Sequence, residues 1–270
     1  MKRFAALLFT GLLFLAACSG EQEPGIWTPS PAAPATPPPT PSAVQGQWWE
    51  SLSPEELPSQ VSALEDLSLL GPEEAARLGE TPDAVLYGLG GGEGILLERG
   101  GSLFYFPQCW HPSGLPALPY LFQSDLDADG ADELAVRYLM QAEEDRILYD
   151  LHIYDWEGSD CADCPITSEA CAALAEAQVE TSYSPSTGVF TLTCGRDSVT
   201  YQLPEPLRAG TVSLVLDTCF FREGESGFTA VLGARVTPSE TRFANLLAEI
   251  GYSGGTFTLH DIRLEPTTVV

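Results

Sequence analysis

The stretch Glu133-Leu134-Ala135-Val136-Arg137-Tyr138-Leu139-Met140 and the stretch Ile147–Trp156 decide the fold of this chain. In both stretches apolar side chains alternate with polar or small ones, which is the period of a β-strand. The polar segment 141–146 predicts a turn between them, and therefore a long hairpin. One apolar and one polar face indicate an antiparallel sheet that is covered on one side only. The apolar residues are Leu134, Val136, Tyr138, Met140, Ile147, Tyr149, Leu151 and Ile153.

Short apolar runs on both sides of this hairpin predict further strands, because they are bounded by glycine-rich or polar turns. Three stretches predict short helices: one that begins at Ser53-Pro54-Glu55-Glu56, one over 72–78 that ends at Gly79, and one over 168–179. The chain is therefore predicted to have an α+β fold, mostly antiparallel β-sheet with a few short helices. The further predicted strands cover 84–88, 95–98, 102–106, 189–193, 198–203, 212–221, 227–236, 243–252 and 256–264.

An acidic loop, Asp125-Leu126-Asp127-Ala128-Asp129-Gly130-Ala131-Asp132-Glu133, leads directly into the hairpin. Carboxylates at positions 1, 3 and 5, with glycine at 6 for a sharp turn, are the pattern by which short loops surround calcium. Position 12 is Val136, not the glutamate of a helical EF-hand, and the loop continues into a strand. Clustered acids repel one another without a cation, which favours a metal site. The alternative is a turn that the aspartates only cap.

The loop resembles the calcium loops of the integrin and propeller types, in which the pattern D-x-D-x-D-G-x-x-D is followed by a strand, the ninth residue is a ligand and the seventh offers its backbone carbonyl. This resemblance implies calcium as the cofactor. It implies as ligands the side chains of Asp125, Asp127, Asp129 and Glu133 and the backbone carbonyl of Ala131. Glu133 stands where the pattern usually has aspartate, so its reach differs by one methylene. A single such loop does not indicate a propeller, which is built from several repeats.

The N-terminus has the layout of a secretory signal, with Lys2 and Arg3, an apolar run over 4–15, and then Leu15-Ala16-Ala17-Cys18. The apolar run is shorter than the roughly 20 residues of a membrane-spanning helix. Its end resembles the lipobox of bacterial lipoproteins. That resemblance implies cleavage before Cys18, a diacylglyceryl group on the cysteine sulfur, and anchoring in the lipid bilayer on the extracytoplasmic face. The alternative is an ordinary cleaved signal.

Composition divides the chain into a signal peptide at 1–17, a lipid-anchored linker at 18–44 and a globular domain at 45–270. The linker contains Pro29–Ser42, which is rich in proline, alanine and threonine and cannot form a packed core. Such sequence favours the extended polyproline II conformation. The linker is therefore expected to act as a spacer between membrane and domain.

The chain is strongly acidic, with 12 basic and 38 acidic residues and a formal charge of −26. Cleavage before Cys18 removes Lys2 and Arg3, which leaves 10 basic residues against 38 acidic ones, or −28. Nucleic acid is excluded as a partner, because its recognition needs basic patches. Cations, cationic peptides and cell-wall amines fit such a surface better. The simpler alternative is that the charge only keeps an exported protein soluble.

Besides Cys18 the chain has six cysteines, Cys109, Cys161, Cys164, Cys171, Cys194 and Cys219. An even number in an exported chain permits up to three disulfides, whose pairing the sequence leaves open. Cys161, Cys164 and Cys171 also suggest zinc, but neither a second C-x-x-C pair nor a nearby histidine completes four ligands. A thioredoxin-like role is not supported by the surrounding sequence. Disulfides, metal binding and free thiols therefore remain alternatives.

Other motifs carry less information. The glycine run over 88–94 departs from the G-x-G-x-x-G spacing of nucleotide loops and predicts a hairpin turn. For His152, a cross-strand pair with Glu133 or Arg137 is expected. The remaining histidines, His111 and His260, lie in separate segments. The tryptophans Trp48, Trp49, Trp110 and Trp156 are expected in the core, the alternative being a groove for carbohydrate or peptide.

The favoured function is a non-catalytic binding or accessory lipoprotein with a calcium-stabilised loop and a cell-wall or peptide ligand. One alternative is a cell-envelope hydrolase with acidic residues near the loop as general acid and base. Another is a solute-binding lipoprotein, although such proteins usually have two α/β lobes. The regions 87–136 and 254–259 resemble a group of lipoproteins of Gram-positive gut bacteria. This resemblance implies the architecture and no catalytic residues.

Overall fold

The fold is dominated by β-strands, as the sequence predicts, and contains less helix than expected. The computed structural model describes residues 74–90, 94–107, 117–143, 146–158, 160–224 and 227–267. These residues belong to one compact unit. The predicted signal peptide, the predicted linker and the predicted helix that begins at Ser53 lie outside the described residues. The predicted fold class is confirmed.

Within the described ranges the chain forms fifteen strands and one helix, α1 (Ser168–Glu176). The strands are β1 (Ala75–Glu80), β2 (Ala84–Leu89), β3 (Ile95–Arg99), β4 (Ser102–Phe106), β5 (Tyr120–Ser124), β6 (Glu133–Glu143), β7 (Arg146–Glu157), β8 (Asp160–Ile166), β9 (Glu180–Ser184), β10 (Val189–Cys194), β11 (Asp197–Gln202), β12 (Leu214–Gly224), β13 (Gly227–Val236), β14 (Arg242–Ser253) and β15 (Thr256–Pro266).

These strands form three sheets. The largest has eight strands in the order β15-β14-β13-β12-β7-β6-β5, and β8 joins it by pairing with β7. Smaller sheets have the orders β1-β2-β3-β4 and β11-β10-β9. Pairing is antiparallel except between β7 and β12, where Leu148 lies opposite Cys219 in a parallel arrangement. The long strand β7 therefore connects the two halves of the large sheet.

Away from its turn, over 133–139 and 150–154, the β6–β7 hairpin exposes little of either face to water. Val136 lies opposite His152, and Ala135 lies opposite Ile153. Because directly opposed residues of an antiparallel pair share a face, Val136 projects to one side while Ala135, Leu151 and Ile153 project to the other. The prediction of a single apolar face, and of a sheet covered on one side only, is wrong.

A separate hydrophobic core lies against each face of this hairpin. On one face Ala135 and Leu151 pack with side chains of β12–β15, of the three-stranded sheet and of α1. On the other face Leu134 and Val136 pack with side chains of β2, β3 and β4. Residues 133–139 of β6 are therefore buried between two layers, although the polar residues among them suggested a face exposed to solvent.

Helix α1 closes part of the larger core. Thr167 caps its N-terminus, since its hydroxyl oxygen accepts the backbone N–H of Ala170 at 3.1 Å. The N–H of Ser168 donates to a carboxylate oxygen of Asp150 at 2.7 Å, a residue of β7. The helix ends at Glu176, three residues before the end that the sequence predicts.

The predicted helix over 72–78 is wrong, because Ala75–Glu80 forms strand β1. Ala76 and Leu78 are buried and their neighbours less so, which is the two-residue period of a strand. Alanine favours helix locally, but pairing with β2 and burial against the second core outweigh that preference. The predicted turn over 141–146 is also shorter, because β6 continues to Glu143 and β7 begins at Arg146.

Candidate metal centre

The acidic loop connects β5 with β6, and its last residue, Glu133, is the first residue of β6. The backbone turns through positive φ angles at Ala128, 64°, and at Gly130, 95°. The second of these confirms the sharp turn predicted from a glycine at position 6, since glycine adopts such angles without steric cost. The loop therefore brings its first residues back towards the start of the strand.

Three carboxylates of the loop come together. Oxygen atoms of Asp125, Asp127 and Glu133 lie within 4.8 Å of one another. Calcium binds oxygen ligands at about 2.3–2.6 Å, so two ligands on opposite sides of one ion are at most about 5 Å apart. The spacing of these oxygens is thus compatible with one shared ion, and the three side chains could hold a metal.

The same three carboxylates are also held by backbone N–H groups of the loop, which fixes their orientation. The aspartates therefore do cap the turn, as the alternative interpretation of the sequence states. Each carboxylate has a second oxygen, so capping and metal binding are compatible. The donors and acceptors are Leu126 N–H to Glu133 Oε2 at 2.6 Å, Gly130 N–H to Asp125 Oδ2 at 3.1 Å, and Asp129 N–H to Asp127 Oδ1 at 3.1 Å.

Asp129 has a different role in the loop. Its Oδ1 accepts the N–H of Ala131 at 2.8 Å, and its carboxylate does not belong to the group of three. The structure thus brings together three of the predicted ligands. The side chain of Asp129 and the carbonyl of Ala131 remain predicted ligands.

Glu133 is the buried member of the group, with 2% of its surface exposed. Burial raises the pKa of its carboxyl, the hydrogen bond from Leu126 lowers it, and the charges of Asp127, Asp155 and Asp129 raise it further. A carboxylate that is removed from water among other acids is electrostatically unfavourable as an anion. A cation between Glu133 and Asp127 would reverse that effect.

A hydrogen-bonded bridge joins the loop to the four-stranded sheet. The side-chain amide of Gln123 donates to Asp83 Oδ2 at 2.8 Å and to Asp132 Oδ2 at 3.4 Å. Asp83 lies in the turn between β1 and β2. Asp132 therefore points to Gln123 and is not one of the three grouped carboxylates, although it neighbours Glu133 in sequence.

His152 pairs with a residue that the sequence analysis did not consider. Its Nδ1 lies 2.8 Å from Asp163 Oδ1, and both side chains are largely buried. The expected partners, Glu133 and Arg137, are wrong because strand β8, which carries Asp163, is not evident from the sequence. The imidazole of His152 lies beside the rings of Tyr138 and Tyr154, whose hydroxyls are hydrogen-bonded to each other at 2.9 Å. The pair is therefore a structural feature of the second core.

The C-x-x-C motif lies on β8 with its two thiols in different cores. Cys161 packs in the core that contains Leu134, and Cys164 in the core that contains Ala135. An extended strand directs residues three apart to opposite faces, so these thiols do not converge on one metal. Burial raises the pKa of both thiols, which disfavours the reactive thiolate.

Of the four tryptophans considered in the sequence analysis, Trp156 alone lies in the described residues. The ring of Trp156 is partly buried against the second core, and the guanidinium of Arg99 lies 3.9 Å from its centre. Core packing, the expected role, is therefore observed for this residue. Trp48, Trp49 and Trp110, together with Cys109 and His111, lie outside the described residues.

Comparison with known proteins gives no assignment: no family model, curated protein or solved structure matches this chain. Over the part of the chain that the structure describes, no helix has the length and apolar character needed to cross a membrane. The acidic loop is thus the feature on which a functional proposal can be built.

Proposed function

We propose that this chain is a lipid-anchored, extracytoplasmic binding or accessory lipoprotein whose acidic loop binds calcium. The observation that carries the calcium part is the grouping of Asp125, Asp127 and Glu133 oxygens within 4.8 Å. The lipobox ending at Cys18 carries the anchor. The carboxylates of Asp125, Asp127 and Glu133 accept backbone hydrogen bonds and are grouped together, which supports a binding role over a catalytic one.

Two properties favour calcium over magnesium: the kinds of oxygen ligand that the loop offers, and the proposed location outside the cell. Calcium accepts irregular sets of carboxylate and carbonyl oxygens, whereas magnesium needs near-octahedral geometry and usually keeps several waters. The loop offers carboxylates of different reach, from aspartate and from glutamate, and the carbonyl of Ala131 is proposed as a further ligand. Extracellular calcium modules typically bind at about 10⁻⁴–10⁻³ M, a range suited to the medium outside a cell.

The linker and the charge support a position outside the membrane. A proline-rich segment of roughly 25 residues at about 3.1 Å per residue can place the domain on the order of 70 Å from the bilayer. The mature formal charge of −28 follows from 10 basic and 38 acidic residues and favours cationic ligands, such as basic peptides or cell-wall amines. The ligand class of the proposal is therefore cationic.

The calcium site is tested by thermal unfolding of the purified domain in chelator and in several millimolar calcium. At a few times its dissociation constant, calcium stabilises the fold by about 1 kcal/mol. That corresponds to a rise in melting temperature of about 2–4 °C for a domain of this size. We expect this rise in the native protein and its loss in Asp127→Ala and Glu133→Gln.

Asp132→Asn is the matched control, because it removes one charge from the same loop outside the grouped carboxylates. It should retain the calcium-dependent rise. A rise of equal size in all variants would show general screening of the acidic surface, and the absence of a rise in the native protein would leave only a capped turn. Asp129→Asn tests the proposed fourth side-chain ligand separately, with a reduced rise expected.

A further inference from the structure

The four-stranded sheet β1–β4 carries apolar side chains on both of its faces. On one face, called the inner face below, Leu86 and Leu97 belong to the core that also contains Leu134 of the large sheet. Successive residues of a strand project to opposite faces, so their neighbours in sequence form an outer face. A separate apolar cluster lies there, and all of its members come from the four strands: Ala75, Val85, Tyr87, Leu89, Leu96, Leu103 and Tyr105.

The outer face is buried as deeply as a core. Tyr87, Leu89 and Leu96 have exposed fractions of 5%, 4% and 0%. Neighbouring strands shield the flanks of a side chain on a sheet face, but its tip is removed from water only when another layer packs on that face. The complete burial of Leu96 on the central strand β3 therefore requires a covering layer.

The other described elements lie elsewhere. Over the described ranges β1–β4 pair with one another, and their closest packing with another strand is that of β1 on β5. That contact is on the inner face, because Leu121 of β5 lies against Gly79 of β1 and packs with the inner core. The covering layer is therefore supplied by residues outside the described ranges.

The chain enters the four-stranded sheet at the border of its outer face. The N–H of Gly90 donates to the carbonyl oxygen of Glu74 at 2.8 Å, which holds the residue before β1 beside the end of β2. Ala75 and Leu89 lie directly opposite each other and both belong to the outer cluster. Residues 45–73 precede Glu74 directly, so they reach the outer face without any intervening connection.

Segment 45–73 has the composition that a covering layer needs. It lies between the proline-rich linker and β1, and large apolar side chains recur along it at intervals of one to five residues. Burying such side chains against an apolar sheet removes both surfaces from water, which is favourable. These residues are Trp48, Trp49, Leu52, Leu57, Val61, Leu64, Leu67, Leu69 and Leu70.

Other stretches outside the described ranges fit the outer face less well. The linker over 18–44 is rich in proline and cannot pack as a layer. Residues 91–93 are Gly-Gly-Glu and have no apolar side chain to offer. Residues 108–116 contain only Trp110 and Leu115 as large apolar side chains, and they lead to β5, which packs on the inner face.

We propose that segment 45–73 packs its apolar side chains on the outer face of the four-stranded sheet. The sheet is then a middle layer, with this segment on one side and the large sheet on the other. The linker ends at that layer, which fixes the side of the domain to which the tether is attached. This inference goes beyond the proposed function, since the packing requires neither lipid nor calcium.

The direct test is photo-cross-linking within the mature-length chain. The photoreactive residue p-benzoylphenylalanine is introduced in place of Tyr105, an aromatic member of the outer cluster. After irradiation the monomer is isolated and digested, and its peptides are analysed by mass. We expect cross-links from position 105 to peptides of 45–73. The same residue in place of Tyr183, which packs against the larger core, is the control and should not give them.

Cross-links from position 105 to 108–116 alone, to a second molecule, or to no part of 45–73 would overturn the proposal. The same cross-links to 45–73 from the control position would show an unspecific reaction and would also overturn it. Because the measurement is made on the purified chain, its outcome does not depend on whether the protein carries lipid or binds calcium.

Thermal unfolding gives a second measurement. The double variant of Leu64→Ala with Leu67→Ala should lower the melting temperature by about 5–10 °C, because it removes packed methyl groups from the covering layer. The matched control, Ser62→Ala with Ser68→Ala in the same segment, should shift it by no more than about 2 °C. Equal melting temperatures for the two double variants would overturn the proposal.

Discussion

Cys18→Ala is expected to remove lipid from the protein and to release the mature domain from the membrane fraction. Two acyl chains on one cysteine give stable anchoring, whereas even a single chain gives an association constant of only about 10⁴ M⁻¹. Without a lipid attachment site, a mature chain with 38 acidic residues has no attraction to an anionic bilayer surface. The change in distribution should therefore be nearly complete.

The measurement combines incorporation of labelled fatty acid with fractionation, because an uncut signal at 1–17 can hold a variant at the membrane without lipid. The label should appear in the native protein and disappear in Cys18→Ala, and mass should show that native mature chains begin at Cys18. Cys109→Ala, which removes a cysteine outside the lipobox, should keep the label. A labelled Cys18→Ala protein, or a native protein that is never labelled, would contradict the anchor.

Ala135→Asp is expected to prevent folding or to destabilise the domain by several kcal/mol. Ala135 has no exposed surface and lies on β6 among the apolar side chains of the larger core. An unpaired carboxylate at this position would lose its hydration without gaining a partner. Domains are stable by only about 5–15 kcal/mol, so the cost is a large part of the total. Denaturant unfolding, or the yield of soluble folded protein, measures the effect.

Ala142→Asp is the matched control, since it makes the same substitution on the same strand at an exposed position. It should change the free energy of unfolding by no more than about 0.5 kcal/mol. Equal behaviour of the two variants would support the one-sided sheet that the alternation of the sequence suggested. A large difference between them would support burial of β6 on both faces.

Strands with a clear local signal could be predicted from the sequence, and strands that depend on distant partners could not. Ser102–Phe106 and Gly227–Val236 have the predicted bounds, because apolar residues are bounded there by turns. Asp160–Ile166 and Glu180–Ser184 are too polar or too irregular to be recognised, and they are strands because β7 and β10 offer unpaired backbone. The two-sided burial of β6 was missed for the same reason: it depends on which layers pack against it.

The geometry of the acidic loop was also only partly predictable from the sequence. Spacing alone located the loop and the turn at Gly130, because both are local properties of the chain. It did not separate Asp129, which bonds to Ala131, from the carboxylates grouped around one point. Nor did it show that Glu133 is the buried member. Side-chain direction and burial are decided by the strand and layers that follow the loop, so they require the folded structure.

Glu133 is at once the end of the acidic loop and the first residue of a strand that separates two cores. In the proposed calcium-bound form, the ion would hold the end of β6 in place, and fraying of that end would open both layers together. Resistance to proteases would then depend on calcium over the whole domain rather than over the loop alone. A surface protein of this kind would lose its protection wherever calcium is scarce, and turnover in the envelope would follow the ion content of the surroundings.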